Sequence, residues 1–112
     1  MRLPHAALES VPALRRLRAE WDRHDRVLPG PHHLLGRVRD DEPRLAGRIA
    51  RLCAERDALA VRLHHLFRSA DSRGDDCVTA EITAVRAAIR AHERRVNDLL
   101  HEAYDVDLGT AG

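Results

Sequence analysis

The sequence predicts an all-α fold: an up-and-down antiparallel bundle of three long helices and one short one, forming a single domain over residues 1–112. Two long stretches carry apolar residues in alternating steps of four and three, the seam of helices packed side by side. Short polar or proline-rich breaks separate the stretches, as in chains whose neighbouring helices run antiparallel. Aromatic residues make up only 3% of the chain (Trp21, Phe67 and Tyr104), so the core has to be aliphatic, and no segment alternates as a strand would.

The first helix is expected over about 11–28. Ser10 suits its N-cap, and Pro12 falls in the first turn, where a missing amide is harmless. Its apolar stripe is Val11, Leu14, Leu17, Trp21 and Leu28, with His24 in the remaining position. Pro29-Gly30-Pro31 ends it, because proline supplies no amide and glycine suits a reversal. A short helix over about 32–40 follows, carrying Leu34, Leu35 and Val38. Asp41 then reads as the N-cap of a helix over about 43–69, with acidic residues set against its positive end. The seam of that helix is Leu45, Ile49, Leu52, Arg56, Leu59, Leu63 and Leu66. Residues 71–76, Asp-Ser-Arg-Gly-Asp-Asp, form the polar loop. The last helix is expected over about 79–104 with the seam Ile82, Val85, Ile89, His92, Val96, Leu99 and Ala103, and residues 105–112 form a tail that frays or packs loosely after Gly109. The two long helices make a hairpin, and the first helix and the short segment cover its open face.

Charge narrows the function. The chain has 19 basic and 18 acidic residues, a net charge of +1, and every basic residue is an arginine. The absence of lysine fits a GC-rich coding bias better than a phosphate-binding signature. Carboxylates interleave with the arginines, so no basic stripe forms and nucleic acid is not an expected partner. No apolar run is long enough to span a bilayer and none resembles a leader, so the expected location is the cytoplasm. Cys53 and Cys77 form neither a zinc motif nor a disulfide framework; Cys53 is expected to be a small buried residue and Cys77 to lie in or beside the loop.

The polar residues that interrupt apolar seams are more informative than the seams themselves. Arg56 and His92 occupy facing seams at comparable distances from the loop, which puts them at one height inside the hairpin, and His24 interrupts the first stripe. A buried cation and imidazole need an acceptor, for which Glu55, Glu93 and Asp98 are available on the flanks. The bland reading, an imidazole bonded to a carboxylate and an arginine snorkelling to solvent, outweighs a metal site. Eight histidines still make ligands a question. His5 with Glu9 and His101 with Asp105 have the i, i+4 spacing of a chelating pair, whereas His32-His33 and His64-His65 diverge by about 100° around a helix. The candidate metal ligands are therefore His92, His24, His101 and Asp105, which together make an incomplete site. No nucleophile elbow or glycine-rich phosphate loop is present.

The run from Ala91 to Gly109, with His92-Glu93 at its head followed by Asp98-Leu99-Leu100, Glu102-Ala103-Tyr104 and Asp107-Leu108-Gly109, resembles the last helix and exit of small bacterial hemerythrin-like proteins. That resemblance implies a four-helix bundle around a di-iron centre held by inward histidines and carboxylates. Carried over residue by residue, it assigns His92 alone as a convincing ligand. Val96 stands where a carboxylate is due one turn later, and Trp21, Pro43 and Arg56 follow glutamates in the place of the histidine of a Glu-His pair. An arginine facing the site would repel a dication. The expectation is a non-enzymatic binding or interaction protein without a complete site and without a cofactor, whose partner is a protein or a second copy of the chain. Two alternatives remain open: an iron- or zinc-binding oxygen or redox sensor with a non-standard site, and a small all-α enzyme using the interior arginine.

Overall fold

In a computed structural model the chain is helical almost throughout. The structure describes residues 5–27 and 29–111, with side chains at 11–23 and 34–104. Four α-helices follow one another among these residues: α1 (His5–Val27), α2 (Pro29–Asp41), α3 (Ala46–Ser69) and α4 (Asp75–Ala111). Single 3-10 turns, Pro43–Leu45 and Ala70–Ser72, lead into α3 and out of it. No strand occurs among the described residues. No helix is long and apolar enough to cross a membrane among the residues described.

The heptad seams are the core. Leu45, Ile49, Leu52, Leu59, Leu63 and Leu66 of the first seam are all buried, as are Ile82, Val85, Ile89, Val96, Leu99 and Ala103 of the second. Ion pairs fix the direction of the hairpin: Arg48 meets Glu102, Glu55 meets Arg95 and Arg62 meets Glu81, so one residue number falls as the other rises and α3 runs antiparallel to α4. The apolar interior then divides in two. Nearer the loop, Leu17 of α1 packs with Leu59, Leu63, Leu66, Val78, Ile82, Val85 and Ile89, flanked by Leu14 and Trp21. Toward the other end, Leu35 and Val38 of α2 pack with Leu45, Ile49, Leu52, Val96, Leu99 and Ala103. Thus α1 covers one half of the hairpin and α2 the other, as expected for the first helix and the short segment.

Helix ends differ from expectation for identifiable reasons. α1 begins at His5, so Ser10 is not its N-cap and Pro12 lies inside the helix. The residues before it (Ala6, Ala7, Leu8 and Glu9) are strong helix formers and carry the helix back past the proline. Pro29-Gly30-Pro31 does end α1, yet the same residues form the first turn of α2, where prolines lose no intrahelical bond. Asp41 closes α2 instead of capping α3. The amide of Glu42 donates to the Val38 carbonyl at 2.6 Å, and Pro43 opens the 3-10 turn that leads to α3. The expected loop contracts to Arg73-Gly74: the Val78 amide donates to the Gly74 carbonyl at 3.0 Å, and Asp75 and Asp76 fall in the first turn of α4 against its positive end. At the far end α4 continues through Gly109 to Ala111 in place of a frayed tail.

Candidate functional site

Between the two apolar clusters lies one polar layer. On α3 it falls between Leu52 and Leu59, on α4 between Ile89 and Val96, and the residues that fill it are Glu55, Arg56 and His92. His92 is 0% exposed, the only polar side chain in the core among the described residues. Its seam position aims it inward, and its Nδ1 lies 2.7 Å from Glu55 Oε1. Glu55 is also held from outside by Arg95, whose Nη2 donates to Oε2 at 2.7 Å and whose Nε donates to Oε1 at 3.2 Å. Partial burial works to raise the Glu55 carboxyl, but the hydrogen bonds from Arg95 and His92, with the Arg95 and His92 charges, outweigh it and hold the group below the usual carboxylate range. An ionised carboxylate only accepts, so His92 Nδ1 carries the proton and donates it. The result is a chain of contacts from core to surface, His92 to Glu55 to Arg95, in which both carboxylate oxygens are engaged.

Arg56 reaches the other side of the same layer. It is half-buried, and its guanidinium carbon stands 5.7 Å from the centre of the Trp21 ring on α1, within cation–π range. Among the described contacts, His92 is tied to α3 and Arg56 reaches α1. A second such contact, Arg18 over Phe67 at 5.4 Å, and the pairing of Arg86 with both oxygens of Glu20 at 3.2 and 3.3 Å also hold α1 against the hairpin.

Just outside Glu55, α3 and α4 leave a groove of about 370 Å³ lined by Arg48, Arg51, Leu52, Glu55, Arg95 and Asp98. Its two ends are closed pairs. At one end Glu55 holds Arg95; at the other Arg48 bonds Glu102, which also meets Arg44 at 3.5 Å. The Arg48 hydrogen bond does most to hold Glu102 below the usual carboxylate range. Between them Arg51 and Asp98 face the space as exposed side chains, and among the described residues neither makes an ion pair or hydrogen bond. Leu52, buried beneath them, supplies the apolar floor.

The expected metal ligands do not converge where the side chains are described. His92 is buried and His101, on the same helix, is exposed. The side chains of His24 and Asp105 lie outside the described residues, as do those of His5, Glu9, His32 and His33. No set of three histidine, cysteine, aspartate or glutamate side chains that could hold a metal occurs among the described residues. Cys53 was expected to be buried and is exposed, because it follows Leu52 and is turned about 100° away from the seam. Cys77 is exposed in the first turn of α4, with Arg73 Nη2 3.0 Å from its sulfur. Of the groove residues, Leu52 was expected only as core and Glu55 and Asp98 only as acceptors for the interior polar residues; Arg48, Arg51 and Arg95 were not anticipated, although a signal existed: Arg48, Arg51 and Glu55 share one edge of α3, and Arg95, Asp98 and Glu102 share the facing edge of α4. Folding the two seams antiparallel brings those edges together. Compared with known proteins, the chain matches no family model, no curated protein and no solved structure.

Proposed function

We propose that the chain is a hemerythrin-like bundle without a complete di-iron site, acting as a non-enzymatic binding protein that takes its ligand in the groove between α3 and α4. The observation that carries the reading is the groove itself, three arginines and two carboxylates around a leucine floor, with one cation and one carboxylate left unengaged among the described residues. The volume lies at the small end of ligand sites, about 300–1,000 Å³. The residues present fit a di-iron centre poorly. Glu55, the carboxylate beside His92, has both oxygens engaged, and the Arg95 guanidinium 2.7 Å from Oε2 would oppose a dication there.

A cytoplasmic location belongs to the same proposal, since Cys53 and Cys77 are both exposed and unbridged, a state that persists in reducing compartments. Self-association has less support. Val61 and Tyr104 are the exposed large apolar residues among those described, one on α3 and the other near the end of α4, and they do not form the broad patch that a hydrophobic interface needs. The small-enzyme reading gains one observation, the convergence of Arg48, Arg51 and Arg95, which differs from the interior Arg56 that suggested it. Glu55 is held ionised, which suits a structural acceptor better than a general acid.

The test is titration of ¹⁵N-labelled protein with sodium acetate and with inorganic phosphate at fixed ionic strength. Amides of residues 48–55 and 95–98 are expected to shift saturably, and Arg51→Gln to remove the effect. Shifts spread evenly over the molecule, or equal in the variant, would sink the groove as the binding place. Elemental analysis after anaerobic iron loading checks the other half of the reading. Metal at or below trace level is expected, and two irons per chain would overturn it.

A further inference from the structure

The unengaged pair in the groove specifies its ligand further, given the reading of the groove as the binding place. Of the three lining arginines, Arg48 is neutralised by Glu102 and Arg95 by Glu55. What remains is one guanidinium, Arg51, and one carboxylate, Asp98, on opposite walls because they belong to different helices. Leu52 lies between α3 and α4 as the only apolar residue of the lining. A simple anion would satisfy Arg51 while placing its charge near Asp98, and a simple cation would do the reverse. A ligand carrying both charges leaves each partner paired and the groove neutral.

We infer that the groove binds a small zwitterion of the α-amino-acid class, with its carboxylate on Arg51, its ammonium on Asp98 and an aliphatic side chain over Leu52. The planar fork of a guanidinium matches a carboxylate in two parallel hydrogen bonds. An ammonium is a compact donor that a carboxylate on the facing wall accepts. The flanking pairs Arg48–Glu102 and Glu55–Arg95 close the ends of the space and limit the length of the guest. Half-open to water, the groove gives modest affinity, expected in the range of about 0.1–1 mM. Such a site suits a sensor or carrier of an abundant metabolite.

The experiment follows the amides of residues 48–55 and 95–98 in the full chain during titration with L-leucine, with isocaproate (the same skeleton without the ammonium), with isoamylamine (without the carboxylate) and with inorganic phosphate. L-leucine is expected to bind saturably, and both truncated analogues to bind about tenfold or more weakly. Arg51→Gln and Asp98→Asn, both at exposed positions, should each lower leucine affinity about tenfold without altering the spectrum of the rest of the bundle. If isocaproate or phosphate binds as well as leucine and depends on Arg51, the zwitterion assignment fails while the binding groove stands. Leucine binding that ignores both substitutions overturns the assignment as well. If none of the four compounds moves these amides, the groove reading fails with it.

Discussion

Two neighbouring rungs of the α3–α4 edge each set an arginine against a carboxylate and end in opposite states. At one, Glu55 is tied to both His92 and Arg95; at the next, Arg51 and Asp98 stand across the groove without closing on each other. Burial accounts for the difference. His92 is wholly inside the bundle, where an imidazole without an acceptor is costly, so the carboxylate beside it is drawn in and the arginine follows the carboxylate. Arg51 and Asp98 remain in water, where pairing gains little and costs side-chain entropy. Closed pairs of this kind hold the fold, and open ones are available to a ligand.

The largest effect should come from breaking the closed rung. Glu55→Ala removes the acceptor of a fully buried imidazole and the partner of Arg95, and is expected to cost about 2–3 kcal/mol in urea unfolding. A loss below about 0.5 kcal/mol, the scale of an ordinary surface substitution, would mean that the rung is not structural. A sharper version replaces both partners. Glu55→Leu with His92→Leu removes the need for an acceptor, and should recover at least about 1 kcal/mol relative to Glu55→Ala. No recovery would place the loss in the Arg95 contact at the surface instead of in the core.

Acid should act on the closed rung in the same way. The Glu55 carboxyl is held below its unfolded value, so its contribution is complete above the ordinary glutamate pKa, about 4.3, and is lost as pH falls through the lower folded value. Glu55→Gln should therefore flatten the decline of stability with pH in that acid window. Glu81 and Glu102 are also held low, chiefly by Arg62 and Arg48, so some slope will survive in the variant. An unchanged slope would assign acid sensitivity to those exposed pairs.

How far the molecule could be read from its sequence follows the same division between core and surface. The seams of α3 and α4 were legible residue by residue, because burial imposes a repeat that the chain cannot hide: Leu45 to Leu66 and Ile82 to Ala103 are buried wherever an apolar residue was expected. His92 stood out by breaking that repeat, and Glu55 was one of its three candidate acceptors. Helix ends were less legible because capping competes with propensity, and the helix-forming run before Pro12 and the short Arg73-Gly74 break prevailed. The groove was hidden for a different reason. Arg48, Arg51 and Arg95 look like solvated charges in one dimension, and only the antiparallel register sets the α3 pair beside Arg95 and Asp98.

The smallest expected effect tests the open rung. Arg51→Gln takes away a guanidinium that bonds nothing among the described residues, so unfolding should shift by no more than about 0.5 kcal/mol. Helix propensity gives no reason for more, since arginine and glutamine are near-equal formers. A loss approaching that of Glu55→Ala would show Arg51 closed in solution, on Asp98 or elsewhere, and would remove the contrast on which the groove depends. The same variant should weaken ligand binding about tenfold, read from the shifts at residues 48–55. Little effect on stability with a large effect on binding is the result expected of a side chain kept for a guest.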